Sequence, residues 1–199
     1  MRTRESVTKV IKAYDVRGVV GEDIDADFIR EVGAAFGALM REEGAASIAV
    51  GHDMRPSSPE LSRAFAEGAT SQGTDVVLLG LTSTDQLYYA SGALNCPGAM
   101  FTASHNPAKY NGIKMCRAGA RPVGQETGLA TIIDMLVEGI PAYEGEKGSI
   151  TEKDTLAGYG EYLRNLVDLS GIRPLTVAVD AANGMAGHNI KSHTNPAVL

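Results

Sequence analysis

The sequence predicts an α/β protein, a three-layer α/β/α sandwich built on a largely parallel sheet. Short apolar runs of strand length alternate with amphipathic runs of helix length. Capping residues and glycines mark the joints between them. Hydrophobic residues make up 44% and charged residues 21% of 199 positions, enough for a core without disulfide or metal staples.

Taken in order, the first extended piece is Val10 to Tyr14, closed by Asp15-Val16-Arg17-Gly18. From Asp25 to Glu43, Phe28, Val32, Ala35, Phe36 and Leu39 recur at spacings of three and four, the period of a helix with one apolar face. Asp25 or Asp27 can cap it and Gly44 ends it. Ser47 to Gly51 is a short buried strand leading into His52-Asp53-Met54-Arg55-Pro56. Ser58 caps a second helix that turns Leu61, Phe65 and Ala69 inward and ends near Gly73. Val76 to Leu81 is the next strand, and Ser83 caps a third helix running to about Leu94. Met100 to Ala103 is a strand, and Ile113 to Cys116 a further apolar run. Gly124 to Val137 is an amphipathic helix, Pro141 to Ser149 a loop, and Asp154 to Leu169 a last helix. Gly171-Ile172-Arg173-Pro174 punctuates its end, and Leu175 to Val179 starts a new strand.

Charge and composition exclude several function classes. A net charge of −6 argues against a nucleic-acid partner. No run of 18 apolar residues occurs, so no membrane span is indicated, and the charged stretch Met1 to Lys12 lacks the apolar core of a signal peptide. Cys96 and Cys116 lack ligand-like spacing and read as reduced, structural cysteines of a cytoplasmic protein. The distribution of charge says more than its total. With 24 acids in 199 residues, about five are expected in any 40, yet residues 86–125 hold none and carry Lys109, Lys114, Arg117 and Arg121. A solvated basic loop or an anion site both fit that local excess.

Within it, an apolar run ends abruptly at Ser104-His105-Asn106-Pro107, and Asn111-Gly112 follows as a second strong turn signal. A serine hydroxyl thus sits at the tip of a strand, on a stiff polar loop close to two lysines. Ligand sites of α/β proteins lie at the carboxyl ends of strands, and a hydroxyl nucleophile among cations suits phosphoryl chemistry. Neighbouring side chains of an extended chain point apart, so no direct pair of Ser104 with His105 is expected. No Gly-x-Ser-x-Gly elbow occurs either, which weighs against a serine hydrolase. Asn106 is expected to bond its own loop backbone, and in His52-Asp53-Met54-Arg55, Asp53 and Arg55 are expected to brace the loop at the strand end.

Thr102-Ala103-Ser104-His105-Asn106-Pro107, followed by Tyr110-Asn111-Gly112-Ile113-Lys114, resembles the active-site serine loop of the α-D-phosphohexomutases, the phosphomannomutases and phosphoglucomutases. Tyr14-Asp15-Val16-Arg17-Gly18 is similar to a second signature of that family, and the resemblance covers roughly residues 10–188. It implies that Ser104 carries the exchanged phosphoryl group and, through that phosphate, meets Mg²⁺. It implies that Lys114 and Arg17 act in catalysis and that Tyr14, Arg17 and Asn106 bind substrate, and beside it His105 reads as a loop-fixing or substrate-side group or a proton shuttle. The implied partners are mannose or glucose phosphate and a hexose 1,6-bisphosphate. The implied organisation is a phosphoserine domain over 1–150, a connecting helix over 151–173, and a truncated start of a second α/β domain over 174–199, where Asp180 to Gly187 is similar to that domain's glycine turn. From Leu175 on, where the resemblance would place the metal loop, no Asp-x-Asp-x-Asp run occurs, and Asp180, His188 and His193 do not replace it. The expected activity is interconversion of hexose 1-phosphate and 6-phosphate by an incomplete mutase. The alternative is a non-catalytic remnant or a module that binds sugar phosphate.

Overall fold

The computed structural model describes residues 2–168 and 170–193. Helix α1 (Arg4–Val10) is capped by Thr3, whose hydroxyl oxygen accepts from the Ser6 N–H, and it buries Val7 and Val10. The expected strand over Val10 to Tyr14 is therefore a correction. Val7, Val10 and Ile11 keep the three-and-four spacing of a helix, Ile11 forms a single antiparallel bridge to Val16, and the first strand proper is β1 (Val16–Val19).

Helix α2 (Ala26–Glu42) is capped by Asp25, whose carboxylate accepts from the Phe28 N–H at 2.7 Å. Strand β2 (Ser47–His52) leads to α3 (Ser58–Ser71). Ser57, rather than Ser58, is the cap of α3 and makes no capping bond. The Ser58 hydroxyl is instead donated to Asp53. Strand β3 (Asp75–Leu81) and α4 (Thr84–Ala93, capped by Ser83) follow as anticipated, while β4 (Gly98–Phe101) starts and ends two residues earlier than the expected Met100 to Ala103. Strand β5 (Tyr110–Arg117) and the two-residue β6 (Arg121–Pro122) come next. The expected helix over Gly124 to Val137 splits into a 3₁₀ turn over Gln125–Thr127 and α5 (Leu129–Glu138). Gly128 divides them with φ 143°, a conformation no helix interior accepts. After the loop comes β7 (Ile150–Glu152), an exposed edge strand without the alternation that would have announced it. Helices α6 (Leu156–Leu166) and α7 (Ala186–His193) close the described chain. Helix α6 stops at Leu166, with Val167 extended, short of the expected end at Leu169, a residue outside those described.

The α/β sandwich is as expected, and its sheet is mixed. The order is β1-β5-β4-β2-β3-β7, with β6 on β5. Parallel pairing joins β4, β2, β3 and β7, while β1–β5 and β5–β4 are antiparallel. The serine loop explains the switch. Residues 102–109 are fewer than the roughly dozen residues a parallel crossover needs, so β4 returns directly as β5. Alternating residues divide the core. Ile48, Val50 and Phe101 meet α2, α3 and α5 on one face, and Phe65 packs edge-on to Phe101 at 5.7 Å. Ala49 and Met100 meet Leu87 and Ala90 of α4 on the other. Leu175 to Val179, expected as a strand, is exposed and unpaired, since no described strand runs beside it to take its hydrogen bonds.

The helix pair on the larger face depends on small residues. A Cβ at Gly33 would stand 2.2 Å from the Phe65 carbonyl oxygen, and one at Gly68 1.9 Å from that of Arg30. Gly33→Ala should therefore destabilise by about 1–3 kcal/mol through overpacking. Gly92→Ala in α4, where nothing lies within 4 Å, should stabilise by about 0.5 kcal/mol. Denaturant midpoints of the two variants check the opposite signs. At the other end of the sheet Arg117 grips Glu43 with bonds of 2.6 and 2.7 Å and holds that carboxyl below the usual carboxylate range. A depressed folded-state value gives stability that is present at neutral pH and lost on acidification. Glu43→Gln should thus lower stability at pH 7, and the difference from the parent should shrink as pH falls through the carboxylate range.

Candidate functional site

Strands β2, β3 and β4 end on one side of the sheet, and their carboxyl ends frame a cleft of about 680 Å³. Asp53, Met54 and Arg55 come from the end of β2, Ser83 to Asp85 from the start of α4, and Thr102 and Ser104 from the end of β4. Residues 182–185 line the far side, and the Asn189 amide is donated to the Ser83 hydroxyl at 2.9 Å.

Ser104 has φ 54°, left-handed and uncommon for a residue with a side chain. Its N–H is donated to the Thr102 hydroxyl oxygen at 3.0 Å, and the Asn106 N–H to the Ala103 carbonyl at 3.0 Å. The turn leaves the Ser104 side chain exposed at the cleft. It also corrects the expectation about His105. Because Ser104 is left-handed and not extended, the two side chains converge, and His105 Nδ1 stands 3.3 Å from Ser104 Oγ. That is slightly longer than a good hydrogen bond.

The bracing role expected of Asp53 and Arg55 at the strand end extends to the serine loop. The Arg55 guanidinium donates to four of its carbonyls, those of Ser104, Asn106, Pro107 and Tyr110, at 2.8–3.0 Å. Its Nε faces Asp53 Oδ2 at 3.3 Å. Asp53 also accepts from the Ser58 hydroxyl at 2.7 Å and the Arg55 N–H at 3.0 Å. Fully buried Asn111 donates to Ser57 and Ser58, which ties the far end of the loop to the start of α3.

Arg17, on β1, reaches the loop from the other side. Its Nη1 donates to Asn106 Oδ1 at 3.0 Å and its Nη2 to Asp15 Oδ2 at 2.6 Å. The Asn106 side chain therefore bonds Arg17 and not, as expected, its own loop backbone. Lys114 Nζ lies 3.9 Å from the same Asp15 oxygen. Asp15 thus gathers both cations, a role that the pentapeptide around it did not signal. Lys109 is exposed, with its ammonium 5.8 Å from the Tyr110 ring centroid. Tyr14 is not brought to Ser104. It is 80% exposed and lines a separate hollow with Pro122 and Gly124.

Among the described residues no group of three or more His, Cys, Asp or Glu could hold a metal ion. Cys96 and Cys116 are free and buried, and burial pushes both thiols up, toward the unreactive protonated form. No helix among the described residues is long and apolar enough to cross a membrane.

The family model described as phosphoglucomutase/phosphomannomutase, alpha/beta/alpha domain I, matches residues 8–139. A phosphomannomutase of Escherichia coli is 38% identical over 183 residues, covering 90% of this chain and 40% of that protein. A phosphoglucomutase of Neisseria gonorrhoeae is 38% identical over 185 residues, covering 92% of this chain and 39% of that protein. A crystal structure of a phosphoglucomutase/phosphomannomutase family protein from Burkholderia thailandensis superposes with a TM-score of 0.82 at 33% identity, over 97% of this chain and 43% of that one. The chain therefore spans about two fifths of the length of these relatives. With a family model over most of its length and a matching fold, the chain belongs to the phosphoglucomutase/phosphomannomutase family.

Proposed function

We propose that this chain carries the phosphoryl-bearing serine of a phosphohexomutase, which interconverts hexose 1-phosphate and hexose 6-phosphate through a bisphosphorylated sugar. Mannose and glucose phosphates are the proposed substrates, in keeping with the names of the relatives. The observation that supports the reading most is the exposed Ser104 hydroxyl, at the carboxyl end of β4 and on the rim of the cleft. Residues 1–150 are proposed as the phosphoserine domain, 151–173 as a connecting helix and 174–199 as the beginning of the next domain. The two reduced, buried cysteines are in keeping with a cytoplasmic protein.

The proposed step is a phosphoryl transfer from a hexose 1,6-bisphosphate. The bond between Ser104 Oγ and phosphorus forms as the ester bond to one sugar oxygen breaks. The serine proton ends on that sugar oxygen, and His105 Nδ1, 3.3 Å from Oγ, is the nearest group to carry it. Arg17 and Lys114 would offset the negative charge spread over the transferring group. Asn106, held by Arg17, would face the sugar. Tyr14, on a separate hollow, would contribute only from the sugar's far side. Mg²⁺ is the cation proposed beside a phosphorylated Ser104. The described residues bring no set of three ligands together for it, so no step is derived through it. That same observation favours the second reading, a module that is phosphorylated and binds sugar phosphate without turnover.

Incubation with glucose 1,6-bisphosphate and Mg²⁺ should add one phosphoryl group to the chain, seen by intact mass, and Ser104→Ala should abolish the gain. Equal phosphorylation of the alanine variant, or none of the parent, would contradict the proposal.

A further inference from the structure

We propose that Arg55 is the positioning residue of the serine loop and grips no phosphate itself. A guanidinium has five N–H donors. In Arg55 four are spent on the carbonyls of Ser104, Asn106, Pro107 and Tyr110, and the fifth, on Nε, is buried 3.3 Å from Asp53 Oδ2 without a hydrogen bond to it. The side chain is only 10% exposed, although it borders the cleft. Its four terminal donors are used and its Nε is buried, so no donor is free to reach an anion in the cleft. Arg17 differs, since its bonds to Asn106 and Asp15 engage single donors of Nη1 and Nη2 and leave others free.

One of the four carbonyls belongs to Ser104, so Arg55 holds the peptide that follows the left-handed residue. Left-handed backbone at a side-chain-bearing residue persists only where its surroundings enforce it. The enforcing group is itself anchored, because Asp53 ties it to Ser58 at the start of α3. Lysine cannot substitute. Its three donors radiate from one nitrogen and cannot span four carbonyls laid out along a planar fork.

The role rests on the reading of Ser104 as phosphoryl carrier, and the test separates the two. The rate of Ser104 phosphorylation is measured against glucose 1,6-bisphosphate concentration for the parent, Arg55→Lys and Arg55→Ala, below the unfolding temperature of each. A positioning role predicts a maximal rate lower by about 10²-fold in both variants, with the half-saturating concentration little changed. Added guanidinium at millimolar concentration should partly restore Arg55→Ala and leave Arg55→Lys unaffected. A raised half-saturating concentration with an unchanged maximal rate would mean that Arg55 grips the donor's phosphate, and would overturn the proposal. So would parental kinetics in Arg55→Lys. Amide exchange at Asn106 and Tyr110, whose N–H groups bond Ala103 and Pro107, reads the loop without chemistry. It should quicken in both variants even if the parent accepts no phosphoryl group, in which case the reading of Ser104 alone falls. Unchanged exchange in folded variants would overturn the positioning role.

Discussion

A loop that doubles back between two strands turns several carbonyls toward one point, and they need donors that neither strand can supply. Here one guanidinium supplies them. Arg55 gathers four carbonyls from residues 104–110, and the candidate site follows from that arrangement. The convergence fixes the turn at Ser104, which brings its hydroxyl beside His105 and to the rim of the cleft. The net worth of each such bond to a charged donor is about 1.5–3 kcal/mol, of the same order as the cost of left-handed serine backbone. One bond of the clamp is therefore enough to offset the strain, and the four together exceed it.

The fold contributes by placing the clamp. Strand β2 ends beside β4, and the Asp53 N–H bonds the Phe101 carbonyl just before the loop departs. Asp53 and Arg55 therefore start one residue step from the backbone they brace. Helix α3 closes the arrangement through Ser57, Ser58 and buried Asn111. Its approach to α2 depends on Gly33 and Gly68, where backbone meets backbone. From the opposite side Asp15 holds Arg17 and Lys114 together, which keeps two cations near the loop without leaving them to repel each other.

Much of this was legible in the sequence, and what was not has physical causes. Helices with a long apolar period or a capping side chain, such as α2 behind Asp25 and α4 behind Ser83, could be read directly. Residues 4–10 could not, because seven residues with only Val7 and Val10 buried carry too short a period to separate a helix from an extended run. The exposed β7 carries no alternation, since neither of its faces is buried. The serine loop was visible as a motif. The approach of His105 was not, because side-chain directions inferred from an extended chain fail at a left-handed residue. Asn106 was misassigned for a related reason. Local bonding is the usual habit of asparagine in a turn, and only the fold brings Arg17 from β1 to compete. The gathering role of Asp15 is not legible because Arg17 lies two residues away while Lys114 comes from a strand far along the chain, and the two meet only in the sheet.

Arg55 holds the serine loop with all four of its terminal N–H groups. Arginine-detected NMR of the ¹⁵N-labelled chain without sugar phosphate reads this directly. Four carbonyl partners should block rotation about the Nε–Cζ and Cζ–Nη bonds, so Arg55 should show separate, slowly exchanging Nη protons that Arg55→Lys removes. A single averaged, rapidly exchanging Nη signal for Arg55 would mean that the guanidinium is mobile and that something else shapes the loop.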